Sequence, residues 1–253
     1  MFNIQTIKNV MKKLFMILTV IGLMAFSTQY AIAQTEGVTI EKAETPIHQE
    51  LKTKFVEGGV GFMGIILLTL ILGLAIAIER ILYLNLATVN TNKLLHKVEE
   101  ALANGGVEAA KDLCRNTRGP VASILFQGLS RMDEGIDVVE KTIVSYGSVQ
   151  MSLLEKGLSW VQLFIALAPM IGFMGTVIGM IITFDAIQLA GDISPNVVAG
   201  GMKFALITTV AGLVVAITLQ MFYNYLLSKI DGLVIAMEDA SISFIDILVK
   251  YNK

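Results

Sequence analysis

Ala168-Pro169-Met170-Ile171-Gly172-Phe173-Met174-Gly175-Thr176-Val177-Ile178-Gly179-Met180 lies inside a run, Gly157 to Phe184, that holds no charged side chain. That run exceeds the roughly 20 apolar residues an α-helix needs to cross a bilayer. Gly172, Gly175 and Gly179 recur at three- and four-residue spacing, so a helix gathers them on one face. Pro169 removes a backbone hydrogen bond and favours a kink, which neighbouring membrane helices tolerate. Trp160 stands near the start, where an interfacial aromatic belongs. The stretch therefore reads as a membrane helix with one smooth side.

Two further runs flank it. Val60 to Ile78 is uncharged, ends at Glu79-Arg80, and is followed by Ile81-Leu82-Tyr83-Leu84. Phe204 to Leu227 is also uncharged, with Tyr223 and Tyr225 near its end and Lys229 and Asp231 beyond. The expected fold is an all-α membrane protein. Its transmembrane helices occupy 60–84, 157–184 and 204–227, the last two joined as an antiparallel hairpin by a turn at 185–203. Residues 85–156 form a helical insert. Leu94, Leu95, Val98, Ala101 and Leu102 keep three-to-four spacing there, with breaks at Asn104-Gly105-Gly106 and Arg118-Gly119-Pro120. Ile124, Leu125, Leu129 and Met132 continue a helical face, and residues 228–253 form a short tail.

Composition agrees. Of 253 residues, 55% are hydrophobic and only 16% charged, against about a quarter charged in soluble domains. The mean hydropathy is +0.70. Net charge is −2 with no Lys/Arg-rich tract, so nothing points to nucleic acid. Cys114 is the single cysteine, without metal-ligand spacing around it, and it reads as a small apolar helix residue. His48 and His96 read as solvated surface residues. No histidine, cysteine and carboxylate set suggests an enzyme, a metal or a cofactor. Three spans without an internal repeat do not make the usual alternating-access transporter.

At the N-terminus, Met11-Lys12-Lys13, the apolar run Leu14 to Phe26 and Ala31-Ile32-Ala33 give the order of a secretory signal, residues 1–33. An uncleaved first span is the alternative. Residues 34–59 form a polar arm. Arg80, Lys93 and Lys97 follow span one, Lys156 precedes span two and Lys229 follows span three, all on one side of an alternating layout. The positive-inside rule then puts the insert and the C-terminus in the cytoplasm and the N-terminus outside.

The hairpin carries Gly172, Gly175, Thr176, Gly179 and Thr183 on one helix, and Thr208, Thr209 and Gly212 on the other. Small residues let helices approach closely in lipid, where packing rather than water expulsion drives association. A membrane threonine commonly bonds its own i−4 carbonyl. The hydroxyls of Thr176, Thr183, Thr208 and Thr209 also suit a row along one side of the two helices that lines a thin polar path. Neither span holds a carboxylate or histidine at mid-membrane, so a proton carrier built here takes its titrating group from a partner. Asp185 and Lys203, at the outer ends, are expected to pair across the turn.

The 168–180 stretch resembles the A-P-x-(I/L)-G-L-x-G-T-V-x-G-(M/I) segment of the ExbB/TolQ/MotA proton-channel family. Ala205-Leu206-Ile207-Thr208-Thr209-Val210-Ala211-Gly212-Leu213-Val214-Val215-Ala216-Ile217 resembles A-L-x-x-T-x-x-G-L-x-x-A-I of the same family's last helix, and Glu79-Arg80 resembles its E-R pair. The likeness spans roughly residues 60–230 and is nearer to ExbB than to MotA, which has four spans. It implies a pentamer whose second and third helices enclose two copies of a one-span ExbD-like partner, with that partner's aspartate carrying the proton. It also implies an inner-membrane location and an output through a TonB-like or Tol-like protein. Thr176 and Thr209 match the family's pore-facing threonines, and Thr208 is an additional hydroxyl. Many ExbB proteins have a glutamate before the A-L of the last helix, where Phe204 stands. A non-conducting scaffold is the rival reading.

Overall fold

The computed structural model describes residues 47–251, and the expected signal sequence at 1–33 lies outside them. The described chain is helical: α1 Ile47–Glu57, α2 Val60–Ala87, α3 Thr91–Asn116, α4 Pro120–Ser130, a 3₁₀ turn Met132–Glu134, α5 Ile136–Glu155, α6 Leu158–Ala190 and α7 Pro195–Tyr251. Three helices, α2, α6 and α7, contain stretches long and apolar enough to cross a membrane. Residues 47–57 of the expected polar arm thus form a helix of their own.

In α2, Ile66, Thr69, Gly73, Ala77, Ile81 and Leu84 form the buried stripe. Leu68, Ile71 and Leu72 on its other sides are exposed. So much uncovered aliphatic surface suits a lipid solvent, and α6 and α7 repeat the pattern with Phe173, Ile181, Leu206 and Ile217. Thr69 is buried in the stripe, and its hydroxyl donates to the Ile65 carbonyl at 2.9 Å.

Two differences from the sequence reading concern helix ends. The turn expected over 185–203 contracts to Gly191–Ser194, because α6 continues to Ala190 and α7 starts at Pro195. Gly191 closes α6 in the left-handed region (φ 70°), its N–H bonded to the Ile187 carbonyl. Pro195 then opens α7, where its missing N–H costs nothing. The expected tail is also no separate segment: α7 runs unbroken for 57 residues, about 85 Å. Its hydrocarbon-crossing part needs only about 30 Å of that length.

The second half of α7 is the centrepiece of the insert. Leu226, Ile230, Leu233, Met237, Ala240, Phe244 and Leu248 form its buried stripe. They share one core with Leu94, Val98 and Leu102 of α3, Ile124, Leu125 and Leu129 of α4, and Val139 and Ile143 of α5. Here burial from water supplies the stability, about 1.5–3 kcal/mol for each fully buried large side chain. Gly128 lets α4 sit against Phe244 and Ile143, since an added Cβ would lie 3.0–3.1 Å from them. Lys250 pairs with Glu99 at 3.2 Å and ties the far end of α7 to α3.

The insert's expected breaks are both present. Gly106 (φ 70°, ψ −167°) kinks α3, and Gly119 (φ 113°) ends the link before Pro120. A third glycine, Gly157 (φ 90°), separates α5 from α6 and lies against the Arg80 side chain. Arg80 donates to both Glu79 carboxylate oxygens, at 2.7 and 2.9 Å, and sits 5.0 Å from the Tyr83 ring centre.

Candidate functional site: the α6–α7 hairpin

The glycines of α6 and α7 meet each other. A Cβ on Gly212 would lie 2.5 Å from the Ala168 carbonyl oxygen, and one on Gly172 would lie 3.0 Å from the Thr208 carbonyl oxygen. Those neighbours are backbone, which cannot move aside. Gly175 faces Thr208, Gly179 faces Phe204 and Ala205, and Thr183 presses on Gly201. Gly172, Gly175, Gly179 and Gly212, expected as packing residues, all lie at the α6–α7 contact. Pro169 remains inside a continuous α6.

The seam divides the four threonines into two pairs. Thr183 and Thr208 are buried within it. Thr183 donates to the Gly179 carbonyl at 2.8 Å, and Thr208 to the Ala205 carbonyl at 2.8 Å. Their hydroxyls are thus turned between α6 and α7 and closed on their own helices.

Thr176 and Thr209 differ. Each follows a seam residue by one position, so each lies about 100° round its helix from the contact. Because the helices run antiparallel, that rotation carries both to the same side of the hairpin. Thr209 donates across the seam to the Gly172 carbonyl at 3.2 Å, and Thr176 donates to the Phe173 carbonyl at 2.6 Å. Both are half-exposed. A hydroxyl that donates inward still has lone pairs for an outside donor.

The opposite side is occupied by α2. Ile171 and Ala211, each one position before a seam glycine, pack on the cluster that contains Ile66 of α2. Phe204 meets Phe62 edge to face, with ring centres 6.2 Å apart, and also covers Gly59. The threonine side has no such cover among the described residues: Phe173 is 67% exposed and Leu206 61%. Two hydroxyls thus stand in an otherwise apolar, uncovered face.

The turn end of the hairpin corrects one expectation. Lys203 does not pair with Asp185 but with Glu57 at the end of α1, at 2.6 Å. The Lys203 ammonium, with Lys54 beside it, holds the Glu57 carboxyl below its ordinary range. The shortened turn is the reason: Lys203 sits two helical turns into α7, on the side facing α1. Sequence reading also missed Gly73, where a Cβ would meet Leu219 of α7 at 2.7 Å. An isolated glycine in an apolar span was the available signal.

Residues 116–239 match the sequence profile of the MotA/TolQ/ExbB proton channel family. The putative biopolymer transport protein ExbB homolog of Methanothermobacter thermautotrophicus is 35% identical over 162 residues, which cover 64% of this chain and 57% of that protein. The chain therefore spans little more than half the length of that relative. The putative biopolymer transport protein ExbB-like 3 of Synechocystis is 28% identical over 156 residues, 61% of this chain and 74% of the relative. The biopolymer transport protein exbB1 of Vibrio cholerae is 38% identical over 69 residues, 27% and 30% of the two chains.

Proposed function

As a member of the MotA/TolQ/ExbB proton channel family, this multi-pass membrane protein is, we propose, the channel and stator subunit of an ExbB–ExbD-type motor. It uses the proton motive force to energise a TonB-like protein and, through it, transport across an outer membrane. The subunit is a homopentamer in the inner membrane, with its N-terminus periplasmic and its insert and C-terminus cytoplasmic. Its α6 and α7 surround two copies of a one-span ExbD-like partner. A TolQ-like or other motor output fits the same architecture.

One observation carries this reading: Thr176 and Thr209 share the side of the hairpin that α2 leaves uncovered. That face offers two hydroxyls and no ionisable group. It suits a partner helix that brings its own carboxylate, because an intramembrane acid needs hydrogen-bonding neighbours while it changes charge. The packing glycines fix the spacing of α6 and α7, and hence of the hydroxyls. Phe204, at the position where many ExbB proteins have a glutamate, serves the α2 contact instead.

The test is native mass spectrometry of the detergent-purified protein, alone and with a one-span partner bearing a membrane aspartate, followed by proton flux in proteoliposomes. Five copies with two partners and partner-dependent flux are expected. A sealed membrane under a pH gradient, with the complex assembled, would instead favour a non-conducting scaffold.

A further inference from the structure

Where α2 leaves its apolar run and turns into α3, it parts from α7 and leaves a cavity of about 230 Å³. Lys229 and Ser228 of α7, Thr88 of the elbow and Thr91 at the start of α3 supply its polar lining, and Ala87 and Val121 part of the apolar lining. Lys229 is half-buried and has no ion-pair or hydrogen-bond partner among the described residues. Its ammonium is therefore free to take a counter-charge from outside the chain, and the cavity beside it has room for an anion. The hydroxyls of exposed Ser228 and half-buried Thr91 make no hydrogen bond among the described residues, so both are free to donate to a bound group. The first turn of α3 carries no acidic residue, so the positive end of that helix adds to the attraction.

The position identifies the class of anion. Lys229 lies just past the last uncharged residue of its span, and Ala87 and Thr88 lie three and four residues past the expected end of the first span at Leu84. The cavity is therefore level with the phosphates of the leaflet on the insert's side, and its mixed lining suits a group with a charged head and an apolar continuation. We propose that this cavity binds the phosphodiester headgroup of an anionic phospholipid, with Lys229 as the charge partner and Ser228 and Thr91 as hydroxyl donors. The inference is independent of the uncovered threonine face, which lies elsewhere on the hairpin.

The experiment is native mass spectrometry of the delipidated protein in detergent, titrated with phosphatidylglycerol or phosphatidylcholine of matched chains, and separately with inorganic phosphate. The wild type should retain phosphatidylglycerol selectively. Lys229→Gln should lower that retention about tenfold, the scale of one charge-assisted hydrogen bond, and Lys229→Arg should restore most of it. Equal retention of the two lipids, or unchanged phosphatidylglycerol binding in Lys229→Gln, overturns the proposal. Uptake of inorganic phosphate without any phosphatidylglycerol adduct overturns the lipid source.

Discussion

Lys203 donates to Glu57 at 2.6 Å, joining the first turns of α7 to the last residue of α1 across 146 positions of sequence. The pair holds the Glu57 carboxyl below its ordinary value of 4.5, first through the Lys203 bond and then through Lys54. A depressed carboxyl contributes stability above its unfolded pKa, and that contribution is lost as pH falls through the lowered folded value. The α1 contact should therefore hold at neutral pH and loosen only as pH falls through that lowered value. Lys203→Gln should move the Glu57 titration back toward 4.5 and speed amide exchange in 47–57 at neutral pH. Exchange unchanged from wild type would mean that the pair does not hold α1.

The seam glycines should respond unequally to a single methyl. At Gly212 and Gly172 the added Cβ meets backbone atoms of the facing helix. Gly212→Ala and Gly172→Ala should each destabilise the purified protein by about 1–3 kcal/mol. Gly64→Ala, where nothing lies within 4 Å, should leave the midpoint unchanged or slightly raised. Thermal unfolding in detergent, read by circular dichroism, ranks the three.

The threonines divide in the same way. Thr176→Val and Thr209→Val keep the side chain's size and remove the hydroxyl on the uncovered face, so partner-dependent proton flux should be lost with assembly intact. Thr208→Val removes a hydroxyl already closed on Ala205 within the seam, at a cost of about 1 kcal/mol, and flux should persist. Wild-type flux in both Thr176→Val and Thr209→Val would sink their assignment.

Phe244 is fully buried beneath Gly128 and Ile143. Phe244→Ala should cost about 3–5 kcal/mol and loosen α4 and α5 while leaving the membrane helices folded. Hydrogen exchange read by region tests this, and uniform exchange across the insert and spans would contradict it.

Cys114 reports on the same core. Burial pushes its thiol from 9.0 up to about 11. A raised folded pKa means that the thiol's contribution is fully present below pH 9 and fades as pH rises toward 11. Thiol reagents should leave the native protein unlabelled at pH 8 and label it on unfolding. Cys114→Ser should remove part of the alkaline weakening of the insert.

The spans and their hairpin were legible because charge is excluded from hydrocarbon, and the uncharged runs Val60 to Ile78, Gly157 to Phe184 and Phe204 to Leu227 cannot hide that exclusion. The glycine seam was legible from spacing alone. The extension of α7 was not read, although Ile230, Leu233, Met237, Ala240 and Phe244 keep a three-to-four rhythm. Charged residues between them masked it as a tail. The partner of Lys203 and the separation of Thr208 from Thr209 were beyond sequence reading. Adjacent residues on one helix fall on different sides, and only the register with Gly175 decides which side is inside. The shortened turn likewise depended on α6 holding its helix past Phe184 to a left-handed glycine.

The unbroken length of α7 has a mechanical consequence. A rod of about 85 Å that is gripped at one end by lipid-embedded neighbours and at the other by the insert cannot tilt locally. Rocking it by about 5° would sweep its far end through roughly 7 Å, more than the rise of one helical turn. A shift of about 2 Å at Thr209, roughly 20 Å from the start of the rod, would thus reach its far end as a displacement several times larger, so that the helix acts as a lever arm and the insert as its load.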